Sequence, residues 1–441
     1  MSAMRFIATV LVSALSVASF ASCDDPSDPP PPPSGDASTD AAGAGGSAGD
    51  ASAEAETSAG GTDAGPDVAV EGAAGTGGAS VWAPVGGKLD HDTSSCCHTF
   101  DPTVKNFGGK PVVVWAEDDP TSGSWVRLKS WEGAAWQSIE SPSQNDVEAS
   151  PTHRSPAVTL LGSKLLVGWN TLISVDGDGL VRGWDGTSWS AAENVTPVQT
   201  GDSQDWGWGL SLASGGTEAH AVYIARLATD SSQRFKHRIT SGSGFSAESE
   251  IGSFTEAYST RAAVSDDGTK KCFIRETGGV GAYVLDVFVD GALAATPPGL
   301  PSAEHLEYDV VVHDAAPVVA MVADGKVSVA RLNGAVWENL GAARLNADPL
   351  YDGANDPSLH SFGGKLYLSW SEKGDQIDGG VFVRRWDSGA WVDLGSNIVI
   401  DPTGTRQTQD SNMQVIGTDL FLAFTELKSG VYSLWVIKRP L

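Results

Sequence analysis

Ala354–Ser396 reads ANDPSLHSFGGKLYLSWSEKGDQIDGGVFVRRWDSGAWVDLGS, and its turns and apolar runs decide the fold. Pro357 to Ser361 alternates apolar and polar residues, Phe362-Gly363-Gly364-Lys365 supplies a tight turn, and Leu366 to Trp370 is rich in strand formers. A polar loop, Glu372 to Gly379, precedes a third run, Val381 to Trp386. Asp387-Ser388-Gly389 then turns the chain into a fourth, Ala390 to Leu394. The spacing predicts four antiparallel strands, here called a to d, in about 40 residues. A sheet so small needs neighbours on both faces.

The same punctuation recurs along the chain. Asp101 to Glu140 carries DPTVKNFGGKPVVVW and WEGAAW, and Ser155 to Glu193 carries SPAVTLLGSKLLVGW and WDGTSW. Trp208 to Glu250 and Arg261 to Ala295 are more diverged versions, and Asp309 to Gly341 has DVVVHDAAPVVAMV and LNGAVW. A seventh unit, Asp410 to Leu441, stops before its fourth strand. The missing piece matches Val81-Trp82-Ala83-Pro84-Val85-Gly86, which has the pattern of Trp391-Val392-Asp393-Leu394-Gly395. Seven such units predict an all-β, seven-bladed β-propeller over residues 81–441, closed by its own N-terminal strand so that no sheet edge is left open. Thirteen of the 15 tryptophans fall in repeat register, on strands b, c and d, and are expected to pack between blades.

The chain before residue 81 has another character. Arg5, the apolar stretch Phe6 to Ala18 and Phe20-Ala21-Ser22-Cys23 read as a secretory signal over 1–23. Its end resembles a bacterial lipobox, which implies lipidation of Cys23; Phe20 and Ser22 depart from the commonest version, so cleavage after Ala21 and secretion is the alternative. Residues 24–80 hold five consecutive prolines, 11 acids and no Lys or Arg, too few apolar groups to offset ordering entropy, and predict a disordered tether. The expected location is the extracytoplasmic side of a bacterial envelope, with the N-terminal anchor as the sole membrane contact. Beyond residue 80 the 44 acids outnumber 27 bases, a formal charge of −17, which argues against nucleic acid or anionic lipid as partner of the propeller. A monomer is expected.

In a four-stranded blade the a–b and c–d turns lie on one face of the ring and the b–c and d–a connections on the other. The first set is short (Gly108-Gly109, Asp185-Gly186, Asn333-Gly334); the second is long and varied, where binding residues usually sit. Repeat alignment puts Asp101, Ser155, Trp208, Arg261, Asp309, Asp356 and Asp410 at the channel mouth. Asp101, Asp309, Asp356 and Asp410 are therefore candidates to hold Ca²⁺ through oxygen ligands, or to cap loop amides; no other cofactor is expected. Asp205, Trp206 and Trp208 suit a sugar ring, apolar face on indole and hydroxyls on carboxylate, or else fold onto the rim as packing. Tyr258, Arg261, His305, Glu307, Tyr308, Tyr351 and Asp352 extend that surface. Cys96 and Cys97 beside His91 and His98 suit a vicinal disulfide, with a zinc site as the alternative; Cys272 is expected to be a buried free thiol.

Residues 81–441 resemble seven-bladed propellers generally. Trp184-Asp185 and Trp386-Asp387 end strand c as in WD40 repeats, without the Gly-His partner. Gly108-Gly109 and Gly363-Gly364 precede strand b, where kelch repeats place them after it. Ser174-Val175-Asp176-Gly177-Asp178 is similar to the sialidase Asp box but breaks it at the glycine. No catalytic residue is implied by any of these. The sequence leads to a surface-anchored, non-catalytic binding module for glycan or protein, with a glycosidase or lyase as the alternative and an envelope assembly scaffold as a third reading.

Overall fold

The computed structural model describes residues 81–90, 98–119, 123–139, 156–173, 176–196, 208–226, 232–254, 257–279, 281–298, 306–346, 353–373, 379–400, 407–428 and 431–441. The leader, Cys23, the tether, Cys96, Cys97, Asp205, Trp206, His305, Tyr351 and Asp352 lie outside them. Trp208 opens a strand, but its side chain is also outside the described set.

Seven four-stranded antiparallel sheets form a seven-bladed β-propeller, each with its strands in sequence order. Strand a is Val-rich or alternating and faces the ring axis: His98–Phe107 in blade 1, Ala157–Leu161 in blade 2, Trp208–Gly215 in blade 3, Ala257–Val264 in blade 4, Glu307–His313 in blade 5, Gly353–Phe362 in blade 6 and Gln407–Ile416 in blade 7. Each touches strand a of both neighbours, so the seven together wall a channel. Ala83–Pro84 pairs with Val431–Pro440 as the fourth strand of blade 7, with Ala83 opposite Lys438. Val85 and Leu89 continue the pairing through backbone bonds to Val436 and Leu434, and Asp90 accepts the Leu434 N–H at 2.7 Å. The ring thus closes on its own N-terminal segment.

Between blades the core is apolar, and the tryptophan repeat explains how it is pinned. Strand d carries a tryptophan in five blades, and each indole N–H donates to a backbone carbonyl of the preceding blade: Trp82 to Leu394 (3.2 Å), Trp136 to Val85 (2.6 Å), Trp189 to Ile139 (2.8 Å), Trp337 to Ala295 (2.5 Å) and Trp391 to Leu340 (2.7 Å). A buried indole N–H without a partner would cost more than the bond returns, so the bond fixes where each blade sits on the last. Blades 3 and 4 have Phe245 and Leu293 there instead. Cys272 is buried and free, as its sequence position suggests.

Candidate functional site

The mouth of the channel is shaped by a repeated irregularity in strand a. Register slips by one residue between Phe100 and Thr103, Trp208 and Ser211, Ala257 and Thr260, Asn355 and Ser358, and Gln409 and Asn412. In three of these bulges the extra residue is an aspartate in the left-handed region, Asp101 (φ 49°), Asp356 (φ 51°) and Asp410 (φ 52°); in blade 3 it is Gly209 (φ 63°). Aspartate tolerates this conformation better than most residues, and a bulge re-aims a side chain. Blade 5 runs without a slip, with Glu307 opposite Val322, and counting back seven residues from its turn, as from the others, gives Glu307 the place of those aspartates. Asp309, aligned by sequence with Asp101, sits two residues deeper, because the shifted turn Asp314-Ala315 hides the true register. In blade 4 the equivalent is Tyr258 rather than Arg261, because the a–b connection there is longer by four residues.

The four acids form a relay from blade to blade. Glu307 accepts the Asp356 N–H at 2.5 Å, Asp356 accepts the Asp410 N–H at 3.0 Å, and Asp410 accepts the Asp101 N–H. Deeper in the channel, Asp309 accepts the Leu359 N–H at 2.7 Å, Asn412 accepts the Val104 N–H at 3.0 Å, and Ser211 accepts the Ala262 N–H at 3.0 Å. Capping of amides, expected within loops, is thus exercised across blade seams. No group of three or more His, Cys, Asp and Glu is arranged to hold a metal ion among the described residues.

The same wall encloses a cavity of about 630 Å³ lined by all seven strands a. Its acids are unevenly placed: apolar residues such as Val310, Leu359 and Met413 occur on every side, Glu276 of blade 4 adds a carboxylate, and blades 2 and 3 line it without an acid. Blades 5, 6, 7 and 1 contribute Glu307, Asp309, Asp356, Asp410 and Asp101, whereas blades 2 and 3 contribute Pro156, Val158, Leu210 and Leu212. Tyr258 and Arg261 of blade 4 stand beside that acid-free arc. Arg261 donates to the Thr260 carbonyl at 3.0 Å and lies 5.8 Å from the centre of the Tyr308 ring. Tyr258 packs edge-on to Tyr283 at 5.3 Å. Tyr308 is 4 % exposed, belongs to the core between blades 4 and 5 and also lines the cavity, its hydroxyl accepting from Ser259 at 3.1 Å. Eight sequence candidates, Asp101, Tyr258, Arg261, Glu307, Tyr308, Asp309, Asp356 and Asp410, therefore share one cavity.

Burial sets the protonation of this wall. It pushes Glu307 up to about 8, aided by the Asp356 charge, and Asp356 up to about 6 against the opposing Asp410 N–H. Asp410 is raised well above the usual carboxylate range by burial and then by Asp356, and burial also raises Asp309. On the basic side, burial lowers Lys105 against the attraction of Asp309, and lowers His360 to about 3 with help from Lys105. Of these, Lys105 and His360 were not singled out from the sequence; their signal was period-2 spacing along strand a from Asp101 and Asp356, masked by the bulge.

No family model matches the chain, and no curated protein matches it. Among solved structures the fold is similar to Trypanosoma rangeli sialidase, at 13 % identity and a TM-score of 0.43 over 78 % of this chain and 54 % of that one. It is also similar to an α-L-arabinofuranosidase from Podospora anserina (10 %, 0.36, 71 % and 98 %) and to a glycosyl hydrolase from Bacteroides ovatus (10 %, 0.32, 78 % and 85 %). The chain spans about half the length of the sialidase, 54 % of it. Likeness of this degree concerns architecture and carries no activity across.

Proposed function

We propose that this chain is a non-catalytic binding propeller that takes a glycan at the d–a end of its channel, and that lipidated Cys23 and the segment 24–80 hold it at the outer side of a bacterial envelope. The observation that carries the binding reading is the uneven cavity: an apolar, acid-free arc from blades 2 and 3 faces a carboxyl-bearing arc from blades 5, 6, 7 and 1, with Tyr258 and Arg261 at the junction. A sugar ring has the same division into C–H faces and hydroxyl edges, and few ligand classes pair both so closely. The relay favours binding over turnover, because Glu307, Asp356 and Asp410 each engage a neighbouring backbone N–H.

One observation favours an enzyme instead: Glu307, raised to about 8, and Asp356, raised to about 6, have the unequal proton affinities of an acid and base pair. Glycan arrays with the soluble domain, followed by calorimetry on Arg261→Ala and Tyr258→Ala, separate the readings. Binding lost in both variants with unchanged denaturation midpoints supports the proposal; polysaccharide hydrolysis abolished by Glu307→Gln or Asp356→Asn replaces it with the enzyme. No glycan bound, with a protein recovered reproducibly by pull-down and released by the same variants, would redirect it to a protein ligand. Palmitate-analogue labelling of wild type and Cys23→Ser tests the anchor, which fails if both are labelled equally or not at all.

A further inference from the structure

Lys105 follows Asp101 and Thr103 along the channel side of strand a in blade 1, beside fully buried Val104, and lines the cavity. Several other lysines sit on carboxylates, Lys236 on Glu248, Lys270 on Asp290 and Lys438 on Asp419, each at 2.7 Å, and Lys164 and Lys326 are exposed to solvent. The Lys105 ammonium meets no hydrogen-bond acceptor and no carboxylate within 4.0 Å among the described residues; Asp309 acts on it only at longer range. The cavity acids that could have paired with it engage backbone amides instead. A positive charge left alone in a partly dry channel is costly, and a lysine relieves that cost by giving up its proton.

We propose that Lys105 is a carbonyl-reactive amine, set in the central channel to condense with the aldehyde of a small ligand such as the open-chain form of a reducing sugar. The Nζ lone pair attacks the carbonyl carbon, the carbonyl π pair moves to oxygen, and that oxygen takes a proton from solvent while the nitrogen returns one of its two, giving a neutral carbinolamine. The carbinolamine then expels water as nitrogen gives up its proton, leaving an imine; one aldehyde and one amine yield one imine and one water, with no redox change. Burial, which lowers the proton affinity of Lys105, enlarges its free-amine fraction near neutral pH. The inference stands apart from the glycan-binding reading, since any small aldehyde that reaches the channel serves.

The test uses the full chain at pH 7 with propanal and cyanoborohydride, which fixes each imine as a propyl adduct, mapped by peptide mass spectrometry over time. Lys105 is expected to react about tenfold or more faster than exposed Lys164 and Lys326, and to lose that lead in urea. In Lys105→Arg, whose guanidinium forms no imine under these conditions, the fast phase disappears while Lys164 and Lys326 react as before. Equal rates at all three lysines, or an unmodified Lys105, overturns the proposal, and a chain that bound no glycan would still show the fast phase.

Discussion

Trp391 in blade 6 and Arg275 in blade 4 stand at the same kind of seam, and they hold it by different means. Trp391 lays its ring against Trp386 at 5.3 Å and sends its N–H to a backbone carbonyl of blade 5. Arg275 lies 4.2 Å from the ring centre of Phe254 and 5.9 Å from that of Phe235, both in blade 3, and 5.2 Å from that of Phe288 in its own blade. Its Nε and Nη2 donate to Asp286 at 3.0 and 2.8 Å. The tryptophan joint asks only for a carbonyl, which every residue supplies, so it can recur around the ring. The arginine joint needs three aromatics and one acid in place together, so it belongs to one seam. Where blades 3 and 4 lost the repeated tryptophan, a joint specific to that seam stands in its stead.

Removing each joint measures the difference. Trp391→Ala should cost about 3 to 4 kcal/mol, from lost area plus the cavity left behind. Trp391→Phe should cost about 1 kcal/mol, since it keeps most of the area and loses the hydrogen bond. Arg275→Met should cost about 2 kcal/mol: the methionine still covers the rings, but Asp286, a quarter exposed, loses its partner. Chemical denaturation of the three variants checks the order. A Trp391→Ala midpoint equal to wild type would show that the repeated joint carries no stability.

These two seams also mark how far the sequence could be read. Seven blades and the closing strand were legible because Gly-Gly turns and tryptophans recur at fixed offsets, and each offset is a physical demand of the blade. The channel was legible only in part. Asp101, Asp356 and Asp410 announce themselves as Asp-Pro and Asp-Ser at the start of strand a, but a bulge leaves no periodic trace in one sequence. In blade 5 the turn Asp314-Ala315 lacks the glycines that mark it elsewhere, so Glu307 reads as a flanking residue and Asp309 takes its place in the alignment, while Lys105 looks like any polar strand residue. Arg275 and its aromatics could not be foreseen at all, because their meeting depends on how blades 3 and 4 face each other.

The same two regions should respond to pH with opposite sign. His220 and His237 of blade 3 stack at 5.1 Å, share a 2.9 Å nitrogen contact and pack on Phe273 of blade 4. Burial lowers both to about 4, with Lys271 adding its repulsion. In the unfolded chain they take up protons below about 6.5, so their contribution is complete above that pH and is lost as pH falls toward 4. Glu307 is the reverse. Raised from 4.5 to about 8, it holds its proton in the fold while the unfolded chain releases it, so stability falls as pH rises through 4.5 to 8. One proton bounds each slope at about 1.4 kcal/mol per pH unit. Denaturation midpoints against pH should flatten on the alkaline side in Glu307→Gln and on the acid side in His220→Leu. A change on the wrong side in either variant breaks the assignment.

The smallest effect compares two turns of one geometry. Blade 6 joins strands a and b through Gly363 (φ 58°) and Gly364 (φ 69°), and blade 5 does so through Asp314 (φ 48°) and Ala315 (φ 57°). A Cβ at Gly364 would meet nothing within 4 Å, so only the left-handed backbone opposes a side chain there. Alanine carries that strain in blade 5 already. Ala315→Gly relieves it but also loosens the unfolded chain, two terms that partly cancel. Gly364→Ala should therefore destabilise by about 1 kcal/mol and Ala315→Gly should stabilise by less than about 1 kcal/mol. If the two substitutions shift the denaturation midpoint in the same direction, the turns are not equivalent and the register of blade 5 against blade 6 must be redrawn, and Glu307 with it.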